Sequence, residues 1–521
     1  MEAQDHILAA GDQGLYAGVT FGSLFVKALA RRPETVAFVW NDQRMTYREL
    51  AQQISRSVQV FTDLGLKRGD TVAHLSLNSP EAIITWASCG LLGLRYTPLH
   101  PLGTPETDAF VLNKAKVCTV VLDAAHFNHR AEQILNGANG VQHILALNLT
   151  GTGLDYENLR QQKEPAPLTV TATVEDVIAI FFTGGTTGEP KGVMHSSRTL
   201  VANAMISSAE WEWPQNINML LATPVSHAAG YMVLPILLRG GTVHLQDGFS
   251  PDKFLEAVAN KQINATFMVP TMIYATLDSP KAKETDFSHL EFVLYGAAPM
   301  SPTRLVEAIE VFGRVFTQGY AQTEAPNSAV ALYRDAHQGE RLKSCGMPLA
   351  GITVSILDTE CKEVAVGESG EICFRGPLVM DGYLDNPEET EKAFRGGWLH
   401  TGDVGYRDVD GYIYIVDRLK DMIISGGFNV YPKEVEDAIS KHPAIGDVAV
   451  VGLPDDRWGE VVVAAVNLRP GHDVDEASLI EMVKKEKGAV YAPKKVLFHD
   501  TPLPKTPLEK PDKKELRHLL A

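Results

Sequence analysis

Phe181-Phe182-Thr183-Gly184-Gly185-Thr186-Thr187-Gly188-Glu189-Pro190-Lys191-Gly192 is the stretch on which the reading of this chain turns. An apolar run from 177 to 182 leads into it, as a buried strand would. Its glycines let the backbone approach a ligand closely and adopt positive φ. Thr183, Thr186 and Thr187 add hydroxyl donors, and Lys191 adds a cation. Backbone N–H groups, hydroxyls and an ammonium gathered in ten residues after a buried strand suit a polyphosphate. The plainer reading of the glycine spacing alone is a turn with a solvated lysine. The register excludes a Walker A loop, which needs Gly-Lys followed by Ser or Thr; here Lys191 follows Pro190 and precedes Gly192. Val193-Met194-His195 reads as extended before Ser196 or Ser197 caps a helix, whereas a P-loop enters its helix directly.

Working outward, strand and helix patterns alternate on both sides of the loop. Thr46-Tyr47-Arg48-Glu49 is a capping box that opens a helix ended by Gly65. A strand is expected over 71–77, and Ser79-Pro80 starts the next helix with proline in its first turn. Further buried strands are expected at 220–223, 266–269 and 292–295, with helices over 251–261 and 302–312. This alternation predicts layered α/β units with parallel sheets. From about 345 to 416 the pattern changes to short strands with turn signals, Asp410-Gly411 among them, and predicts an antiparallel or barrel-like unit. The last hundred residues read as a separate small α+β domain, with helices over 432–441 and 476–486 and strands over 447–453 and 461–468. The charged run Asp417-Arg418-Leu419-Lys420-Asp421 marks the junction.

Composition sets the outer limits. At 521 residues the chain exceeds one core, because domains run to roughly 100–200 residues. Its net charge of −17 disfavours nucleic acid and anionic membranes as partners. A local basic pocket for a small anion stays compatible with that charge. Five widely spaced cysteines with no C-x-x-C pair argue against a disulfide framework or a zinc site, and fit a reducing cytoplasm. No apolar run approaches the roughly 18 residues that a membrane helix needs, and residues 1–10 do not read as a secretory signal.

Taken with the motifs downstream, the loop resembles the phosphate-binding signature of the adenylate-forming (AMP-binding) superfamily, of the acyl-CoA synthetase or aryl-acid CoA ligase type. The likeness runs along nearly the whole chain. It implies a large N-terminal domain, 1–417, of two layered α/β subdomains plus a small β-barrel. A hinge at 418–420, centred on Lys420, and a small mobile α+β domain, 421–521, would follow. Thr183, Gly184, Gly185, Thr186, Thr187, Gly188 and Lys191 would hold phosphate, Thr186 with a catalytic part. Thr223-Pro224-Val225-Ser226-His227 resembles the segment that gates the carboxylate pocket, which His227, Ala228, Tyr231, Gly296 and Ala321 would line. His227, read alone, is a structural hydrogen-bonder. Tyr295-Gly296-Ala297-Ala298-Pro299 resembles the adenine-side loop. In Gln318-Gly319-Tyr320-Ala321-Gln322-Thr323-Glu324 the likeness implies adenine stacking by Tyr320, phosphate contact by Thr323 and Mg²⁺ on Glu324, a carboxylate of the kind that ion prefers.

Asp403 and Arg418 would hold the ribose, with Ile415 beside them. Gly426, Gly427 and Phe428 would line a coenzyme A tunnel; Phe428 is equally well a core aromatic. Leu503-Pro504-Lys505-Thr506-Pro507-Leu508-Glu509-Lys510 resembles the segment carrying the catalytic lysine, Lys510. Three residues depart from the family pattern: Gly184 where serine is usual, Ala321 and Glu509 where glycine is usual. The implied reaction joins a carboxylic acid to AMP, expelling pyrophosphate, and then passes the acyl group to coenzyme A. An amide ligase with an amine acceptor and a non-catalytic adenylate-binding protein are the alternatives, and both homodimer and monomer are allowed. No Gly-x-Ser-x-Gly elbow is present, so activation by adenylate is expected in place of an acyl-enzyme. Small apolar walls around His227–Tyr231 suit an aryl, alicyclic or medium-chain acid.

Overall fold

The run at 177–182 forms the strand Val177–Thr183, and Lys191–Ser196 pairs with it antiparallel, Thr183 opposite Lys191. The computed structural model describes residues 18–183, 189–419, 421–425, 428–455, 457–469, 471–505 and 512–520. Gly184, Gly185, Thr186, Thr187, Gly188, Lys420, Gly426, Gly427, Glu509 and Lys510 lie outside the described residues.

From Val177–Thr183 an eight-stranded sheet extends through Arg95–Pro98, Thr71–Leu75, Val117–Asp123, His143–Leu147 and Leu154–Asp155, all parallel. Lys191–Ser196 and Gly382–Tyr383 close its other edge antiparallel. A nine-stranded sheet has a parallel centre, Phe316–Gln322, Phe292–Gly296, Ala265–Met268, Asn218–Leu221, Thr242–Leu245 and Val36–Trp40. Its edge strands Ala325–Leu332, Met347–Pro348 and Gln43–Thr46 run antiparallel. The expected layered α/β class is therefore present, with antiparallel edges added.

The helix Ala228–Leu238 explains how the two sheets share a core. It is apolar all round, and every residue from Ala229 to Leu237 is buried, as a helix between two layers requires. Phe21, Trp86, Phe181 and Tyr231 meet on it, with ring centroids 5.1 Å (Phe21–Trp86), 5.6 Å (Trp86–Tyr231) and 4.9 Å (Phe181–Tyr231) apart. Local signals act as read: Thr46 and Glu49 form the capping box of Tyr47–Asp63, and Ser196 caps Ser197–Glu210.

The barrel-like unit takes the form of a four-stranded antiparallel sheet, Thr353–Leu357, Gly370–Arg375, Leu399–Arg407 and Ile413–Arg418. Asp408 holds its last turn by accepting from Asp410 N and Tyr412 N, and Gly411 there has φ +90°. The C-terminal unit is a five-stranded sheet built on the pair Ile445–Asp455 and Gly459–Leu468, with helices Pro432–Ile439 and Glu476–Lys487. It has its own core around Val435, Val450, Ala464 and Leu479. Among the described residues no helix is long and apolar enough to cross a membrane.

Candidate active site

Parallel pairing brings the candidate motifs to one edge. Gly296 at the end of Phe292–Gly296 lies opposite Gly319. A Cβ on Gly296 would stand 2.3 Å from the Gly319 carbonyl oxygen, so only glycine lets these two strand ends approach. Ala297 follows at φ +65°, a left-handed conformation that costs a non-glycine residue about 1 kcal/mol or more. The small loop Gly296, Ala297, Ala298, Pro299 thus turns sharply beside Gln318, Gly319 and Tyr320. Gln318 is held by Tyr295, whose hydroxyl donates to its Oε1 at 3.1 Å.

Asp403 is the centre of the first cluster. It is buried and faces Arg418 across the antiparallel pair. Arg418 Nε lies 3.0 Å from Asp403 Oδ1. The Tyr320 hydroxyl donates to Oδ2 at 2.7 Å, and Gln322 Nε2 to the same oxygen at 3.2 Å while also reaching the Thr401 carbonyl at 2.7 Å. Arg418 is held above its usual range mainly by Asp403. The Tyr320 phenol is pushed well up by burial and then by Asp403, so it stays a donor. Tyr320 packs edge-on against Phe374, centroids 5.6 Å apart. Ile415 sits half-buried on the strand of Arg418.

Glu324 is the centre of the second. Its Oε1 accepts from the Tyr383 hydroxyl at 2.8 Å, and its Oε2 has no hydrogen-bond partner among the described residues. It lies near enough to raise both Arg418 and the buried Tyr231. Lys191 lies over the Tyr383 ring, 5.0 Å from its centroid, and pairs with Glu389. Thr183 Oγ1 donates to the Lys191 carbonyl at 3.4 Å. Thr323 presents its carbonyl to His195 Nε2 at 2.8 Å; burial pulls His195 down to about 4, so the ring is neutral and Nε2–H is the donor.

His227, the candidate gate of the acid pocket, precedes the helix Ala228–Leu238. Burial, then His100, pulls His227 down to about 3. The two imidazoles meet edge to face at 4.8 Å, and the buried His100 Nε2 has no partner among the described residues. Gly230 packs so tightly on Val225 that a Cβ would lie 2.2 Å from its carbonyl oxygen. Asn327, at φ +53°, donates from Nδ2 to the Ala228 carbonyl at 2.9 Å. Ala228 and Ala321 are half-buried against this core. Tyr231 turns its ring to Phe181, Trp86 and, at 6.2 Å, His195. Phe181, Trp86 and Tyr231 are packed into the core shared by the two sheets. Phe428 is 61% exposed and is not a core aromatic of the C-terminal unit.

Sequence reasoning missed Tyr383, Glu389, His100, His195 and Asn327 as members of these clusters. Glu389 lies 198 positions from Lys191, and no local motif signals that pairing. His195 had a signal: a histidine on a buried strand directly after the phosphate loop.

Comparison with known proteins decides the family. Residues 25–384 match the AMP-binding enzyme family, and residues 434–510 match the AMP-binding enzyme C-terminal domain. The chain belongs to the AMP-binding enzyme family. It is 42% identical over 510 residues to a medium/long-chain-fatty-acid–CoA ligase of Mycobacterium tuberculosis, covering 95% of this chain and 89% of that one. A feruloyl-CoA synthase of an Amycolatopsis species is 36% identical, over 95% and 98% of the two chains. Among solved structures, an amide bond synthetase from Marinactinospora thermotolerans superposes with a TM-score of 0.89 at 32% identity, over 96% of this chain and all of that one. The expected fold class and the expected enzyme class, an AMP-forming acid–thiol ligase, are borne out by these relatives.

Proposed function

We propose that this AMP-binding enzyme activates an aryl, alicyclic or medium-chain carboxylic acid as its acyl-adenylate and passes the acyl group to coenzyme A. The observation that carries the reading is Asp403, buried and held by Arg418, Tyr320 and Gln322. A carboxylate has about four acceptor sites; Arg418, Tyr320 and Gln322 take three at Asp403, so one ribose hydroxyl can take the fourth and a second would displace one of these donors. Tyr320 lies beside the small loop Gly296–Pro299, where a flat base meets little steric hindrance.

A carboxylate is a poor acyl donor because its leaving group would be oxide. Attack of the acid's oxygen on the α-phosphorus of ATP expels pyrophosphate and leaves AMP as a good leaving group. Charge gathers on phosphorus oxygens in that transition state, so positioning and fixed cations do most of the work. Thr183, Thr186, Thr187 and Lys191 are assigned to the phosphates, and Lys510 to the transition state. Oε2 of Glu324, without a hydrogen-bond partner among the described residues, suits a hard divalent cation; Mg²⁺ held there would offset phosphate charge. His227 remains neutral at physiological pH, so it closes the pocket without placing a cation against the acid. The small apolar residues around His227–Tyr231, with Ala297, Ala298 and Ala321, suit a ring or a medium chain better than a short polar acid. Phe428, exposed near the junction, would meet the pantetheine arm when the C-terminal domain, 421–521, turns about Lys420 on the body, 1–417. We place the enzyme in the cytoplasm, and as a monomer or homodimer.

The test is pyrophosphate release over a panel of aryl, alicyclic, medium-chain and short polar acids, followed by mass spectrometry with coenzyme A or amino acids as acceptor. Acyl-CoA from an aryl or medium-chain acid is the expected product. Amide without thioester would replace the acceptor, a reading that the likeness to the amide bond synthetase keeps alive. Lys510→Ala should slow adenylate formation by about 10²–10³-fold, and a rate within twofold of wild type would remove Lys510 from the role.

A further inference from the structure

A second cluster of chemistry-bearing side chains lies on the four-stranded sheet, between the strand of Asp403 and its neighbour Gly370–Arg375. Cys373 and His400 are direct cross-strand partners, so their side chains share one face. Glu371, two residues from Cys373, joins that face because side chains alternate along a strand. His400 Nδ1 lies 2.7 Å from Glu371 Oε2 and 3.5 Å from Cys373 Sγ. All three atoms lie within 4.8 Å of one another. Cys373 is fully buried, and the His400 and Glu371 side chains are 8% and 14% exposed. The other ring nitrogen, Nε2, sits 3.0 Å from the Arg395 carbonyl oxygen.

We propose that Glu371 Oε2, Cys373 Sγ and His400 Nδ1 form a binding site for a borderline-soft divalent cation of the Zn²⁺ class, with water in the fourth position. The donor set of one nitrogen, one sulfur and one carboxylate oxygen is the mixture that such an ion takes. Bond lengths of about 2.0–2.3 Å in a tetrahedron place neighbouring ligand atoms roughly 3.3–3.8 Å apart. The nitrogen–sulfur edge already has that span. The nitrogen–oxygen edge must open by about half an ångström, replacing a hydrogen bond by two metal bonds. The Cys373 thiol proton and the proton of the His400–Glu371 hydrogen bond pass to solvent as the ion enters. With the ion on Nδ1, Nε2–H donates to the Arg395 carbonyl, the outer partner that fixes a ligand imidazole's orientation and tautomer. Cys361 Sγ stands on the far edge of the ring, 3.9 Å from Nε2, and is not a ligand.

The site touches the nucleotide side through one carboxylate. Glu371 Oε1 accepts from the Gly402 N–H at 2.9 Å, and Gly402, at φ +71°, directly precedes Asp403. Thr401 also ties this turn to the Glu371 strand, its hydroxyl donating to the Ile372 carbonyl at 2.6 Å. A cation on Oε2 draws Glu371 away from this turn, so occupancy weakens AMP binding. This consequence, unlike the site itself, rests on Asp403 being the ribose ligand.

Titrating the full-length protein with Co²⁺ tests the site, because cobalt bound to a thiolate absorbs by charge transfer. One equivalent should develop that band in wild type and in Cys361→Ser. Cys373→Ser should abolish it, and Glu371→Gln, which can keep the Gly402 hydrogen bond, should weaken Co²⁺ binding at least tenfold. A band that survives Cys373→Ser, or that disappears in Cys361→Ser, overturns the site. Calorimetry of AMP with and without saturating Zn²⁺ then tests the consequence: affinity should fall at least threefold. Equal affinities overturn the coupling. Absence of AMP binding even without metal would count against the Asp403 reading and not against the cation site.

Discussion

At the scale of single residues, most polar groups of the candidate site are already paired with one another, Glu324 Oε2 excepted among the described residues. Asp403 has both oxygens engaged by Arg418, Tyr320 and Gln322, so its geometry is fixed. Asp403→Asn keeps the shape and removes the charge. A hydrogen bond to a charged group contributes about 1.5–3 kcal/mol, so KM for ATP should rise roughly 10- to 150-fold. Initial-rate kinetics with saturating acid would check it, and an unchanged KM would rule out ribose contact. Lys191 presents the opposite case. Its pairing with Glu389 competes with any phosphate for the same ammonium. Both side chains are about a third exposed, and such pairs contribute at most about 1 kcal/mol. Glu389→Gln should therefore lower KM for ATP by no more than about fivefold. A rise in KM would mean that Glu389 positions Lys191 instead of detaining it.

At the scale of elements, the sequence was legible wherever a local rule decides. The capping box at Thr46, the proline start at Pro80 and the span of Pro302–Phe312 all follow from residues within one turn of each other. The antiparallel edges were less legible: Lys191–Ser196 and Ala325–Leu332 mix polar and apolar residues, and each folds back as a hairpin on the strand just before it, Thr183 opposite Lys191 and Gln322 opposite Ala325. The site divides likewise. Tyr320, Glu324, Asp403 and Arg418 sit in motifs that can be read in place. Tyr383, Glu389 and His100 enter only through the tertiary fold. The close approach of Gly296 to Gly319 joins the two levels, because the motif shows the glycine and the sheet shows why it is needed. Gly296→Ala forces a Cβ to 2.3 Å from the Gly319 carbonyl oxygen. Overpacking of this kind costs about 1–3 kcal/mol. Calorimetric unfolding should show a lower transition temperature together with weaker AMP binding, and a variant with wild-type values in both would show that the strand ends can part freely.

At the scale of the whole molecule, buried imidazoles set the response to acid. His74, His195, His227 and His244 are pulled down by burial to about 3, 4, 3 and 4. In the unfolded chain each titrates near 6.5. Above that pH both states are neutral, and these groups give stability no pH dependence. As pH falls from about 6.5 towards 4, the unfolded chain binds protons that the fold refuses, so stability drops. Asp417 opposes them. Burial raises it to about 6, so the folded protein takes its proton first, and that contribution grows as pH falls and is lost as pH rises through about 6. Four groups against one leave a net uptake of about three protons on unfolding near pH 5, or about 4 kcal/mol lost per pH unit from these five groups. His74 isolates one share of that slope. It is fully enclosed and neutral, bonded to Thr85 and Ser76, and glutamine can supply a neutral donor and acceptor in its place. Urea unfolding followed by tryptophan fluorescence should show the pH slope below about pH 6 flattened by roughly 1.4 kcal/mol per unit in His74→Gln. An unaltered slope would mean that the folded protein already protonates His74 in that range, and that its burial does not exclude the charge.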